Sequence, residues 1–235
     1  MRAAIFSDVH GNIVALDAVL GDVAKAGVEE FWVVGDLVAH GPHPASTLDR
    51  LMGLANARFV RGNTDRYVIS NELPEFVEQI ADVRLATDVV RSFAWTRGAI
   101  GGRGYEWLAA LPIEQRISLP DGTTVLLVHA SPGRDGGRGI TPAMTDQELR
   151  AAGIADTAAE LIFVGHTHIP TEHVVDGVRV VNVGSVSVPA TTDRRAMWTL
   201  LTADNDGFTI ERRHTEYDMN AVVAALDAEH HPSAQ

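Results

Sequence analysis

The chain has 235 residues, no cysteine and a formal charge of −12 at pH 7, with 46% hydrophobic residues. That length fits one sizeable core, since single cores keep growing to roughly 250 residues, and the lack of cysteine excludes a disulfide framework or a thiolate metal site. The acidic balance argues against a general nucleic-acid binder, which carries a basic footprint, and no apolar stretch approaches the roughly 18 residues of a membrane span.

The first run, Ala3-Ala4-Ile5-Phe6, is too short for a signal sequence and reads as a strand, so a cytoplasmic protein is expected. Asn12 is placed to cap a helix whose apolar positions Val14, Leu16, Val19, Leu20 and Val23 recur near helical spacing and which ends at Gly27. A strand over 30–35 follows, then the loop Gly41-Pro42-His43-Pro44, a helix over 45–55 and a strand ending at Asn63. This βαβαβ opening predicts a parallel sheet with helical crossovers. Residues 66–110 lack β-branched runs and read as a helical insertion interrupted at Gly101-Gly102. From Arg116 the chain is strand-rich, with turns at Pro120-Asp121-Gly122, Asp176-Gly177 and Asn205-Asp206-Gly207. The glycine-rich stretch 132–139 reads as a mobile loop. A last helix over 218–228 completes a single expected domain, 1–228, and residues 229–235 are expected to form a flexible tail.

Five apolar runs end abruptly in a residue that can hold a metal, and chemistry in open α/β sheets collects outside the carboxyl ends of the strands. Those ends deliver Asp8, His10, Asp36, Asn63, His129, His166 and His168. Taken singly most are weak: Gly35-Asp36 and Gly62-Asn63 are common turn pairs, and a lone His129 is ordinarily a hydrogen-bonded structural histidine. Gly165-His166-Thr167-His168 is stronger, because burying two imidazoles without a partner is costly. Seven oxygen and nitrogen ligands exceed the needs of one ion and suit two. Without sulfur the set suits Mn, Fe, Zn, Ni or Co and does not by itself choose among them, with Mn taken as the expected metal. Two cations would also make the pocket positive despite the acidic chain, so a small phosphorylated substrate is admissible.

In this order the motifs resemble the signature of the calcineurin-like metallophosphoesterases: D-x-H, G-D-x-x-D, G-N-H-D/E, a lone H and G-H-x-H. The matching residues are Asp8/His10, Gly35/Asp36, Gly62/Asn63/Asp65, His129 and Gly165/His166/His168. Gly41-Pro42-His43-Pro44 and Asn182-Val183-Gly184-Ser185-Val186 are similar to loops of the small bacterial phosphodiesterase and diadenosine-tetraphosphatase-like branch. The resemblance implies an α/β fold, a two-sheet sandwich flanked by helices, with the insertion as a lid or wall of the substrate cleft. It implies that Asp36 bridges two ions, one held by Asp8, His10 and His168 and the other by Asn63, His129 and His166. It further implies hydrolysis by in-line attack of a hydroxide shared by the ions, with the Asn63 amide stabilising phosphoryl oxygens.

Two positions depart from the pattern. Ala39 stands where the second Asp of G-D-x-x-D would be, and Thr64 replaces the His of G-N-H-D. Threonine can hydrogen-bond a leaving oxygen or a water but is no acid near neutral pH. Asp65, without its histidine, is expected to hold the local loop or Arg66, and His40 is the preferred substitute donor. A missing acid favours phosphodiesters or nucleotide polyphosphates over phosphoproteins. The rivals are a phosphomonoesterase or protein phosphatase, and a non-catalytic metal-binding scaffold that the intact ligand set disfavours. Arg66, Arg134 and Arg138 are minor candidates for phosphate contact. His173, His214, His230 and His231 are expected to lie outside the site, and Trp95 and Trp107 to pack the insertion.

Overall fold

The computed structural model describes residues 1–70, 72 and 77–232. Strands β1 (Arg2–Phe6), β2 (Glu30–Val34) and β3 (Ala57–Val60) pair in parallel, joined by α1 (Ile13–Lys25) and α2 (Pro44–Met52). Asn12 caps α1 as expected: its side-chain oxygen accepts from the Ala15 amide at 3.0 Å. After β3 the chain turns directly into α3 (Asn63–Ile69) and then the long α4 (Val83–Ala110), which breaks at Gly101, where φ is 63°.

The second sheet is built from β4 (Glu114–Ser118), β5 (Thr124–Val128), β6 (Leu161–Val164), β7 (Thr171–Val175) and β8 (Val178–Asn182), with the short α5 (Asp146–Ala151) between β5 and β6. Strands β5, β6 and β8 are parallel, and β4 and β7 close the edges as antiparallel hairpin partners. The hairpin β9 (Ala196–Asp204) and β10 (Gly207–Thr215) returns to the first sheet, where β9 pairs antiparallel with β1. The orders are β10-β9-β1-β2-β3 and β4-β5-β6-β8-β7, two mixed five-stranded sheets. The helix α6 (Met219–Ala228) follows, its N-terminus capped by Asp218.

Period-two alternation explains the layers. In β1, Ala3 and Ile5 face the second sheet and join Trp32, Val34, Val125, Leu127 and Phe163 in the central core. Ala4 and Phe6 face the other way and pack under α1, α2 and α4. On the outer face of the second sheet, Leu126, Val128, Ile162 and Val164 pack beneath Leu149 of α5 and Ile154. The strands read as unbroken apolar runs because both faces are covered.

Phe163 is fully buried and meets Trp32 edge-on at 6.2 Å between ring centroids, so it ties the sheets together one strand-end away from Gly165-His166. Phe163→Ala is expected to destabilise the fold by about 3–5 kcal/mol. A lower urea midpoint at unchanged m-value checks this.

The C-terminal residues pack more closely than the sequence predicts. His231, expected in a flexible tail, is buried and meets Trp95 of α4 at 4.7 Å; residues 233–235 lie outside the described residues. Trp107 packs edge-on against Phe59 at 5.0 Å. Among the described residues, no helix is long and apolar enough to cross a membrane.

Candidate metal centre

The five strand ends meet at one place because the loops after them are laced together. The amides of Asp8, His10 and Gly11, following β1, donate to the carbonyls of Gly35, Asp36 and Leu37, following β2. The amide of Gly165, after β6, donates to His129 O after β5 at 2.9 Å. Joining the two sheets, Val186 and Ser187 donate to the carbonyls of Ser7 and Asp8.

The chain curls sharply at these points. Asp8, His10, Asp36, His166 and His168 all have positive φ, between 50° and 69°. Asp and His tolerate this region better than most side chains, but each such residue costs of order 1–3 kcal/mol and persists only when its surroundings hold it. Glycine is required beside them for space. A β-carbon at Gly62 would collide with the Asp36 carboxylate, and one at Gly165 with Ser7 Oγ and Asp8 Oδ2.

Two groups of donors result. In the first, ligand atoms of Asp8, His10, Asp36 and His168 all lie within 4.8 Å of one another, a set that could hold a metal ion. His10 Nε2 is 3.1 Å from His168 Nε2, and His168 Nε2 is 3.1 Å from Asp8 Oδ1. In the second, Asn63 Oδ1 lies 3.2 Å from His129 Nε2 and 2.8 Å from His166 Nδ1. Asp36 touches both, with Oδ2 3.8 Å from His10 Nε2 and Oδ1 3.3 Å from His129 Nε2.

Backbone carbonyls orient three of the four imidazoles. His129 Nδ1 donates to Val34 O at 2.7 Å, His166 Nε2 to Gly137 O at 2.8 Å, and His168 Nδ1 to Val188 O at 2.6 Å. In the neutral ring this places the lone pair of the other nitrogen toward the site, the arrangement usual for metal-ligating histidine. Lone pairs then face carboxylate and amide oxygens, and Asp8 Oδ1 is buried with no hydrogen-bond donor. Such a cluster requires positive charge, and the donors present fit a divalent cation.

Without a metal, protons take that role. Burial opposes charge on His129, yet Asp36 and Asp8 together push it up to about 10. Burial would likewise raise Asp36, but His129, His10 and His166 hold its carboxyl well below the usual range. Burial pushes His10 down to about 4.

The residues expected to act as donors fall into different roles. Thr64 donates its hydroxyl to Val38 O at 3.0 Å and its amide to Asp36 Oδ1 at 2.9 Å, so it positions the carboxylate. The physical reason is that α3 begins at Asn63, which turns the Thr64 side chain back onto the loop after β2. Asp65 is fully buried and accepts from the amides of Leu37, Val38 and Gly62. It holds the loop, as expected, while Arg66 pairs elsewhere, with Asp135 and Glu72. Burial and the nearby Asp36 charge push Asp65 up to about 7. His40 does reach the site: its ring lies 5.0 Å from His10, backed by Phe93 of α4 at 5.5 Å. Burial, and next to it His10, push His40 down to about 3, so it stands as a neutral ring.

Several supports escaped sequence reasoning. The carbonyls of Val34, Gly137 and Val188 leave no trace in side-chain identity. The loop 132–139, read as mobile, is pinned: Asp135 pairs with Arg66 at 3.1 Å, and Gly137 accepts from His166. Asn182 and Ser185 did carry a signal, in the stretch noted above. Asn182 Nδ2 donates to Gly165 O and Thr167 Oγ1, and Ser185 Oγ donates to Asp8 O at 3.1 Å, so one short segment holds two ligand-bearing turns. His173 donates to Thr141 O and His214 pairs with Asp193, both outside the cluster.

The sequence model of the calcineurin-like phosphoesterase superfamily domain matches residues 1–206. An uncharacterized protein of Methanocaldococcus jannaschii, MJ0912, is 27% identical over 234 residues, covering 92% of this chain and 88% of that protein. A symmetrical bis(5'-nucleosyl)-tetraphosphatase of Pectobacterium carotovorum is 33% identical over 105 residues, which span 41% of this chain and 37% of that enzyme. A solved metallophosphoesterase from Sphaerobacter thermophilus superposes with a TM-score of 0.75 at 29% identity, covering 100% of this chain and 96% of that one. With its strand-end donors gathered into one buried cluster and the family match extending over most of its length, the chain belongs to the calcineurin-like phosphoesterase superfamily and is a metal-dependent phosphoesterase.

Proposed function

We propose that the protein hydrolyses phosphodiesters or nucleotide polyphosphates at a pair of divalent cations bridged by Asp36. One observation carries this reading: Asp36 presents different oxygens to two donor groups, Oδ2 toward His10 and Oδ1 toward His129. Asp8, His10 and His168 complete the first group, and Asn63, His129 and His166 the second. When bound, two such cations supply a water of lowered pKa and the charge that in-line displacement at phosphorus requires. The donor set admits Mn, Fe, Zn, Ni or Co, and Mn is the metal proposed for the first assays.

The chain's own residues orient and hold. The carbonyl-anchored imidazoles fix the lone pairs, and Thr64 fixes Asp36 through its amide. Asn63 has its Oδ1 against His129 and His166, so its Nδ2 remains as the donor for a phosphoryl oxygen. His40 offers an N–H from a neutral ring, which can hydrogen-bond a leaving oxygen but does not protonate it as an imidazolium would. Leaving groups that are stable as anions suit this arrangement: aryl oxides, or the phosphate of a nucleotide polyphosphate. The local likeness to a tetraphosphatase points the same way, and a cytoplasmic setting goes with such substrates.

Mn-loaded protein assayed on bis(p-nitrophenyl) phosphate, a dinucleoside polyphosphate and a phosphoserine peptide is expected to turn over the first two at least about tenfold faster. Elemental analysis is expected to find two ions per chain. A preference for the phosphoserine peptide would overturn the substrate class, and a single ion at saturation would overturn the dinuclear centre.

A further inference from the structure

Arg66, Arg134 and Arg138 lie on or against the loop 131–139 and differ in how they are paired; Arg61 also reaches Asp135, at 3.5 Å. Arg66 binds Asp135 through Nε at 3.1 Å to both oxygens and also meets Glu72. Arg138 donates to Glu148 Oε1 at 2.6 Å, while Glu148 Oε2 accepts from the Thr145 amide and hydroxyl. Arg134 is exposed and, among the described residues, has neither a carboxylate partner nor a side-chain hydrogen bond. Its backbone is nonetheless fixed: its amide donates to Ser131 O at 2.8 Å, and its carbonyl accepts from Ala130 and Ser131.

Arg134 borders a cavity of about 270 Å³ between this loop and α5, also lined by Ser131, Gly136, Gly137, Arg138 and Met144. Liquid water takes about 30 Å³ per molecule, so the space admits a phosphate group with several waters. Gly136, Gly137 and Gly139 line it on the loop side and put no side chain into it. Gly137 also accepts the His166 hydrogen bond, so the cavity begins directly behind a residue of the second donor group.

We infer that this cavity is a subsite for a second phosphate of the substrate, bound by Arg134. The inference rests on the phosphoesterase reading above and narrows it to substrates that carry a further phosphate beyond the one attacked. A guanidinium presents paired N–H donors that match phosphate oxygens, and an anion there supplies the negative charge that Arg134 lacks. Glu148 also lines the cavity, and its ion pair with Arg138 cancels both charges, so Arg134 is left as the uncompensated positive charge of the lining.

ADP and AMP binding to the Mn-loaded protein, titrated calorimetrically at equal free Mn, tests the subsite directly. Wild type is expected to bind ADP about tenfold tighter than AMP, the scale of one charge-assisted hydrogen-bonded contact. Arg134→Ala is expected to close that gap with AMP binding unchanged within about twofold, and Arg134→Lys to restore part of it. In parallel, Arg134→Ala is expected to raise KM about tenfold for a dinucleoside tetraphosphate and to leave bis(p-nitrophenyl) phosphate within about twofold. An ADP–AMP gap that is absent in wild type, or unchanged in Arg134→Ala, overturns the subsite. If the gap closes while wild type hydrolyses neither ester, the subsite stands and the hydrolase reading falls.

Discussion

Asp36→Ala is expected to lower kcat/KM by at least about a thousandfold and to leave fewer than two ions per chain. A thousandfold loss corresponds to about 4 kcal/mol of transition-state stabilisation, which is modest for removing a carboxylate proposed to bridge two cations. The structure gives the reason the two effects go together. Asp36 is the residue whose separate oxygens approach both donor groups, so its loss weakens each and removes their link. It also leaves His129 buried without its nearest carboxylate. Elemental analysis with steady-state kinetics on the same preparation checks the result, and retention of two ions per chain would show that Asp36 is no bridge.

The second large effect comes from a residue that faces no metal. Asp65 collects three buried amides, Leu37 and Val38 from the loop after β2 and Gly62 from the loop after β3. It thereby fixes the distance between Asp36 and Asn63. Leaving a buried N–H unsatisfied costs about 1–3 kcal/mol, so Asp65→Ala is expected to destabilise the fold by about 3–5 kcal/mol after partial relaxation. Weaker metal affinity should accompany it, because the loops that carry Asp36 and Asn63 lose their common anchor. Urea denaturation and competition with a metal indicator measure the two. Asp65→Asn, which keeps one acceptor oxygen, should recover part of both. An alanine variant within about 1 kcal/mol of wild type would mean that water replaces the carboxylate fully.

Much of the architecture was legible from periodicity. The apolar runs at β1, β2, β5 and β6 read as strands because both faces are buried, and Asn12 caps the helix that follows it. Gly101 breaks α4 where the Gly-Gly pair suggested. Element ends were less legible: the helix expected over 45–55 runs Pro44–Met52, and α3 starts at Asn63 itself. That early start decides the role of Thr64, since a residue in the first turn of a helix directs its amide outward, here onto Asp36. The loop 132–139 misled because glycine content speaks of backbone freedom alone, whereas Asp135 and the Gly137 carbonyl hold it against distant partners.

By itself the sequence determined the donor types and their places at strand ends, because a buried apolar run that stops at Asp or His must bring a polar group to the sheet's edge. It also determined the two departures, Ala39 and Thr64, and the net acidity of the chain. Only the tertiary structure decided which donors share a neighbourhood, since the two sheets meet through contacts as distant in sequence as Ser185 and Asp8. It alone set the histidine orientations, which depend on backbone carbonyls that any residue could supply. It alone separated Arg134 from Arg66 and Arg138, because pairing depends on where Asp135 and Glu148 lie and not on how many arginines the loop contains.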